Sequence, residues 1–296
     1  MPNAPTLRQV CVRTAGDYLY ATRQNVVSML KNSGIYHRLR ASSVWGLYLF
    51  LKNRKLFEDR EREDAFYRNI IPGFKAGDLV FDIGANIGDK ADTFLRIGAQ
   101  VIAVDPDPRN QAILGQKFLR YRLTPRPVTI VGKAVGATVG VETLLTCAPG
   151  SVFNTLSKKG AAILSNGTNP PEHLLDPIEY QEKRSVEITT LDHLIDAYGV
   201  PALIKIDVVG FELEVLQGLH RSVPCLSFEI SLPGFKQELL KCVEILGGLS
   251  ACGQFNYTWD RRNGLALESW LDIQAFLRVL EACHEGPLEV FWRMQQ

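Results

Sequence analysis

The stretch LVFDIGANIGDKADTFLRIG, residues 79–98, decides the fold. Leu79 to Ile83 is a short apolar run interrupted by one acid, the pattern of a strand covered on both faces. Gly84 and Gly88 bracket a turn. From Ile87 to Ile97 apolar residues recur at helical spacing, with Ala91, Phe94 and Leu95 on one face, and Gly98 supplies a C-terminal stop. Strand, glycine-rich turn and helix in that order begin a crossover unit.

The same rhythm extends outward. Val101 to Val104 reads as a second strand, ended by Asp105 and broken by Pro106 and Pro108. Ile113, Leu114 and Phe118 mark a helix, and Val128 to Val131 a third strand. After Val186 to Thr190, a capping pattern at Thr189–Asp192 starts another helix. Strand Leu203–Val208, helix Glu212–Leu219, strand Cys225–Ile230 and helix Phe235–Leu246 follow. Phe255–Trp259 and Leu288–Trp292 read as closing strands around a helix from Trp270 to Cys283. Strands alternating with helices predict an α/β fold with a mostly parallel sheet.

Two regions depart from this rhythm. Residues 136–188 carry a strand at Val139–Thr146 and then few periodic apolar positions, so about 150–185 is expected to be a variable loop or cap. Residues 1–72 lack a convincing strand and show helical spacing through Tyr18, Val26, Val27 and Leu30, and from Trp45 to Leu51. The run Glu58–Asp64 reads as the solvated face of a helix. The expected organisation is an N-terminal helical appendage, 1–72, and an α/β domain, 73–296.

Composition narrows the function. Lys plus Arg number 33 and Asp plus Glu 32, so no bulk charge draws the chain to nucleic acid. The six cysteines form no C-x-x-C pair and read as free thiols of a reducing compartment. No secretory signal is recognised, and Val44–Leu51 is shorter than the ~20 residues of a membrane span. A cytoplasmic protein is expected.

The turn itself points to a ligand. Gly84-Ala85-Asn86-Ile87-Gly88 has Asn86 where a dinucleotide fingerprint has its second glycine, which disfavours close approach of a pyrophosphate. Asp82 stands where an ammonium group is received, beside helix N-terminal N–H groups suited to a carboxylate. Asp105 ends the next strand, where an acid takes ribose hydroxyls. Amino acid, ribose and adenine together describe S-adenosylmethionine. A nicotinamide dinucleotide, or no ligand with these residues serving only turns and caps, are the alternatives.

VFDIGANIGDKADTFLRIGAQVIAVDPDP, TTLDHLIDAYGVPALIKIDVVGFELEVLQGL and LSFEI, in that order, resemble the FkbM-type family of methyltransferases. The resemblance runs from about Glu61 to the C-terminus, with a poor match near 150–185. It implies a class I methyltransferase (Rossmann-like) fold, a seven-stranded sheet with a closing antiparallel strand. It also implies S-adenosylmethionine as donor and O-methylation of a hydroxyl on a sugar, lipid or secondary metabolite. The family commonly reads K-I-D-V-E-G where this chain has Val209 in place of the Glu, and Asp105 is often Glu.

The expected site follows. Asp82, Gly84, Asn86 and Gly88 are assigned to the methionine end of the cofactor and Asp105 to the ribose. A hydroxyl needs a base, or a metal that lowers its pKa, before it attacks. Asp207 and Glu229 end neighbouring strands and are assigned to the acceptor hydroxyl, with Lys205 as a third catalytic candidate. The two carboxylates are also the candidate ligands if a divalent metal is used. Glu212 is either a helix-dipole partner or a further catalytic candidate, His193 reads as a surface residue, and His220 as a cation suited to a helix end. The stretch 150–180 is expected to roof a small-molecule or glycan acceptor. A degenerate scaffold module and a nucleotide-dependent oxidoreductase remain the rival functions, and the oligomeric state is left open.

Overall fold

The computed structural model describes residues 51, 53–119, 121, 128–166 and 177–295. The helical spacings at 18–30 and 45–50, Cys11 and the middle of the expected cap, 167–176, lie outside the described residues.

The main sheet has seven strands: β1 (Leu79–Ile83), β2 (Gln100–Val104), β3 (Val128–Val131), β7 (Leu203–Ile206), β8 (Cys225–Leu232), β9 (Gly253–Thr258) and β10 (Gly286–Met294). Their order is β3-β2-β1-β7-β8-β10-β9. Five neighbours run parallel, and β10 lies antiparallel between β8 and β9. The central strands β1 and β7 are buried on both faces, which explains their nearly unbroken apolar sequence. Crossover helices cover the faces: α2 (Asp89–Ile97), α3 (Pro108–Lys117), α5 (Leu191–Tyr198), α6 (Glu212–Leu216), α7 (Lys236–Leu249) and α8 (Ile273–Glu281). Parallel pairing brings the carboxyl ends of β1, β2, β7 and β8 to one edge.

The expected cap contains more order than its sequence suggests. A second sheet, β4-β6-β5, is formed by β4 (Ala134–Val135), β5 (Gly140–Thr146) and β6 (Glu182–Thr189). β6 begins four residues before the expected Val186, because its exposed, charged first half hides the strand pattern. Pairing with β5 holds that half, with Thr146 opposite Glu182. Between them, α4 (Lys158–Ser165) is started by Ser157, whose hydroxyl accepts the Gly160 N–H at 2.9 Å.

Helix α1 (Arg54–Ile70) corrects the reading of the charged run. Asp64 is buried, and its carboxylate receives the Arg96 guanidinium of α2. Arg60 meets Asp92 at 3.1 Å, and Lys90 pairs with Glu63. The opposite charges lie on two helices far apart in sequence, so the run alone looks solvated. Below them Tyr67, Ile70 and Ile71 join one core cluster with Phe94 and Leu95. The Tyr67 and Phe94 rings meet edge to face at 4.9 Å. Among the described residues no helix is long and apolar enough to cross a membrane.

Candidate functional site

A crevice of about 590 Å³ opens over the tips of β1, β2 and β7. Gly84, Asn86, Asp105, Asn110 and Asp207 form its polar side, while Leu144, Val152, Leu156 and Val208 form an apolar wall. Gly84 has φ +81°, and a Cβ there would lie 1.9 Å from the Asp207 carbonyl oxygen. Only glycine permits β1 to turn this close to the end of β7. Asn86 is also left-handed, with φ 47°, and its side-chain oxygen accepts the Ile87 N–H at 2.8 Å.

Asp105 organises two loops at once. Its Oδ2 accepts the Asn86 N–H at 2.8 Å, and its Oδ1 accepts the Asp107 N–H at 2.9 Å and Asn110 Nδ2 at 3.1 Å. Burial pushes this carboxyl up to about 6, although those hydrogen bonds favour the ionised form. Asp107 caps α3, and its Oδ2 accepts the Gly150 N–H and Asn154 Nδ2, tying the 148–154 turn to the end of β2. Asn110 is 2% exposed, lines the crevice and leaves Oδ1 without a hydrogen-bond partner. A ligand hydroxyl or amine would satisfy that acceptor.

Gly88, Asp82 and the turn's N–H groups, assigned to the methionine end, lie apart from the crevice lining or are engaged within the chain. The turn's N–H groups are already engaged: Gly84 and Ala85 donate to the Val104 carbonyl, and Gly88 donates to Ala85. Gly88 does not line the crevice. A Cβ there would lie 2.6 Å from Leu114 Cδ2, so helix packing demands this glycine. Asp82 also lies behind the lining, at 1% exposure, opposite Lys205 in the β1–β7 register. Its Oδ2 has no hydrogen-bond partner. Burial pushes it up to about 7, with Lys205 and Lys90 opposing and Asp207 adding to the rise.

A second crevice, also about 590 Å³, lies beyond β8, with Glu229, Trp259, Asp260, Arg261, Arg262 and Glu289 on its walls. The expected carboxylate pair therefore faces two spaces. Ile206 pairs with Phe228, so Asp207 and Glu229 are the next residues on adjacent strands. Asp207 opens onto the first crevice and Glu229 onto the second. Burial, then repulsion from Asp207, raises the Glu229 pKa. Lys205 lines neither space. It is fully buried, with Nζ 3.3 Å from Asp207 Oδ2 and 3.8 Å from Glu289 Oε1. Burial works against its charge, but Asp207, Glu289 and Glu229 outweigh that and raise its pKa. Lys205 is thus a cation that holds carboxylates in place.

Glu289 and Arg261 escape the sequence reading. Glu289 sits directly opposite Glu229 in the β8–β10 register, and Arg261 Nη1 reaches both. Arg261 and Lys205 hold the Glu289 pKa down against its burial. A lone acid inside the apolar run Leu288–Trp292 is the signal that marks Glu289. Asn110 and Asp107 carry a weaker one, a Pro-initiated helix directly after a strand-end acid.

The β7–α6 loop is built under strain. Val209 has φ 55°, an unfavourable conformation for a β-branched residue, and its carbonyl accepts the Thr155 hydroxyl at 2.8 Å. Glu212 Oε1 accepts the Val208 and Gly210 N–H groups at 3.3 and 3.1 Å, which gives this acid a loop-holding role besides its helix position. Among the described residues no group of three or more His, Cys, Asp or Glu side chains is placed to hold a metal ion.

The strand order, the single antiparallel strand beside the far edge and the crevice at the parallel tips define a class I methyltransferase fold. The family described as methyltransferase FkbM domain matches residues 82–255, and the chain belongs to that family. The hexuronic acid methyltransferase AglP of Haloferax volcanii is 25% identical over 174 residues, 58% of this chain. The match spans 62% of that relative's length. Similar solved structures include a TehB-like S-adenosylmethionine-dependent methyltransferase from Corynebacterium glutamicum, 10% identical, with a TM-score of 0.39 over 88% of this chain and 99% of that one. A precorrin-6y C5,15-methyltransferase from Geobacter metallireducens is 11% identical, with a TM-score of 0.39 over 80% of this chain and 86% of that one.

Proposed function

We propose that the chain transfers a methyl group from S-adenosylmethionine to a hydroxyl oxygen of a sugar-type acceptor. The observation that carries this reading is that Asp207 and Glu229, neighbours on adjacent strand tips, each line one of two crevices. Family membership supports the reaction, and the Haloferax relative, a hexuronic acid methyltransferase, supports a sugar as the acceptor.

The first crevice suits a nucleoside. Asp105 and the unsatisfied Oδ1 of Asn110 accept from ribose hydroxyls or an adenine amine, and Leu144, Val152 and Leu156 cover an apolar face. S-adenosylmethionine supplies, when bound, a methyl group already activated on a sulfonium. The chain's own residues orient the acceptor and remove its proton. Glu229, raised above an ordinary carboxylate and open to the second crevice, is the base, and Asp207 orients the hydroxyl at the junction. Lys205 pairs with Asp207 and acts on Glu229 through its charge alone. Its ammonium already supplies positive charge beside these carboxylates, so the donor set does not fit a divalent cation and turnover is expected to survive chelation.

Methyl-labelled cofactor incubated with extracts of the host organism tests the reading. Labelling of a small carbohydrate is expected. Asp207→Asn and Glu229→Gln should each lower transfer about 10²- to 10⁴-fold, with cofactor affinity nearly intact by calorimetry. Unchanged transfer in both variants removes these residues from the reaction. A scaffold role, which the strained Val209 in place of the family's Glu favours, predicts cofactor binding without labelling.

A further inference from the structure

The second crevice has an electrostatic design that narrows its ligand. Three carboxylates, Glu229, Asp260 and Glu289, face it with two guanidinium groups, Arg261 and Arg262. Both arginines are already paired with carboxylates of the protein. Arg261 is shared among Glu289, Glu229 and Glu63. Arg262 grips Asp260 through Nε at 2.9 Å and Nη2 at 2.8 Å, and meets Asp59 at 3.5 Å.

Acceptor capacity, by contrast, is in excess. Glu289 is 3% exposed and its Oε1 has no hydrogen-bond partner, although Lys205 lies 3.8 Å away. The single contact of Glu229 with Arg261 is long, at 3.5 Å. Beside these acids Trp259 is 47% exposed, and its ring is fixed edge to face against Tyr257 at 5.6 Å. A rigid aromatic face next to hydrogen-bond acceptors fits the apolar face and hydroxyl edge of a pyranose ring.

We infer that the second crevice takes a polyhydroxylated, sugar-type acceptor that is neutral or bears an amine, with Trp259 as its platform, and that, in contrast to the hexuronic acid named for the Haloferax relative, it rejects carboxylated sugars. The inference rests on the methyltransferase reading above, because it assigns the acceptor side of that reaction. A sugar carboxylate would meet net negative walls and no unengaged arginine, and like-charge juxtaposition of this kind is strongly selective. Hydroxyl or amine donors would instead satisfy Glu289 and Glu229.

The test is binding of the methyl glycosides of glucose, glucosamine and glucuronic acid to the full chain, with and without S-adenosylhomocysteine. The glucoside or the glucosaminide should bind at least about tenfold more tightly than the glucuronide. Trp259→Ala should weaken the preferred ligand about fivefold to tenfold, while Trp259→Phe, which keeps an aromatic face, restores most of the affinity. Asp260→Asn keeps the turn's cap but releases Arg262, and should narrow the discrimination against the glucuronide. Equal or tighter glucuronide binding, no binding of any of the three, or indifference to both the Trp259→Ala and the Asp260→Asn changes overturns the inference. Binding of S-adenosylhomocysteine reads the first crevice separately. If it binds while the sugars show no preference, the acceptor assignment fails and the methyltransferase reading stands. If the preference appears without cofactor binding, the reverse holds.

Discussion

The two crevices are built in opposite ways. The first is shaped by backbone. Gly84 and Asn86 turn left-handed, and Asp105 and Asp107 bind the N–H groups of neighbouring loops. The second is shaped by long side chains whose charges meet from α1, β8, β10 and the turn at Arg261–Asn263. A backbone-built site tolerates no added atom at its turn. A site built of ion pairs tolerates reshaping but not an orphaned charge.

Arg261→Ala gives the largest expected effect. It leaves Glu289 buried opposite Glu229, and loss of one partner of a buried pair costs about 3–5 kcal/mol. Urea denaturation reads the loss. A loss below about 1 kcal/mol would mean that the pair is solvated and that the contrast between the crevices is wrong.

Gly84→Ala attacks the first crevice. The new Cβ meets the Asp207 carbonyl, and strain at positive φ adds to the clash, for an expected loss of about 3 kcal/mol together with cofactor affinity. Gly77→Ala is the control. It shares positive φ, at +99°, but has nothing within 4 Å of its Cβ, so it should cost less and spare binding.

The pH response separates the regions further. Asp82 and Glu212 are pushed up to about 7 and Asp105 to about 6, chiefly by burial, above their usual values of 3.8 and 4.5. The folded state therefore binds these protons more tightly than the unfolded one. The stability they contribute is complete below about pH 4 and is lost as pH rises through 6 and 7. Glu289 acts in the opposite sense, since its lowered pKa removes stability as pH falls toward its folded value. Melting temperature followed from pH 5 to 8 should decline in the parent. Asp82→Asn should flatten that decline, and an unchanged slope would take Asp82 out of it.

The smallest expected effect is a gain. Val209→Gly removes the left-handed β-branched residue and should stabilise the chain by about 1 kcal/mol by relieving that strain. If melting temperature falls instead, contacts of the Val209 side chain at the first crevice outweigh the strain.

The first crevice was far more legible than the second. Gly84, Asn86 and Asp105 line it, and all three lie within a 22-residue segment whose strand, turn and strand end are read directly. Asp82 and Gly88 lie behind that lining, because a pattern of residue types does not say which side of a turn faces solvent. Glu229 was found as a strand-end acid, but its separation from Asp207 into a second space was not. α1 looked solvated because its charges are matched by residues distant in sequence, Lys90, Arg96 and Asp92 on α2 and Arg261 and Arg262 near the C-terminal strands.

The sequence by itself determined the strand–helix rhythm, the glycine-bracketed turn at 84–88, the acids at the strand ends and the family. Each depends on covalent neighbours, whose spacing is set by the helix and strand periods. Only the tertiary structure decided that Arg261, Glu229, Glu289 and Lys205 form one charged cluster and that residues 207 and 229 line two different crevices. Those relations arise from the antiparallel insertion of β10 beside β8 and from α1 packing on α2. Contacts of this kind join residues far apart in the chain, and no local period records them.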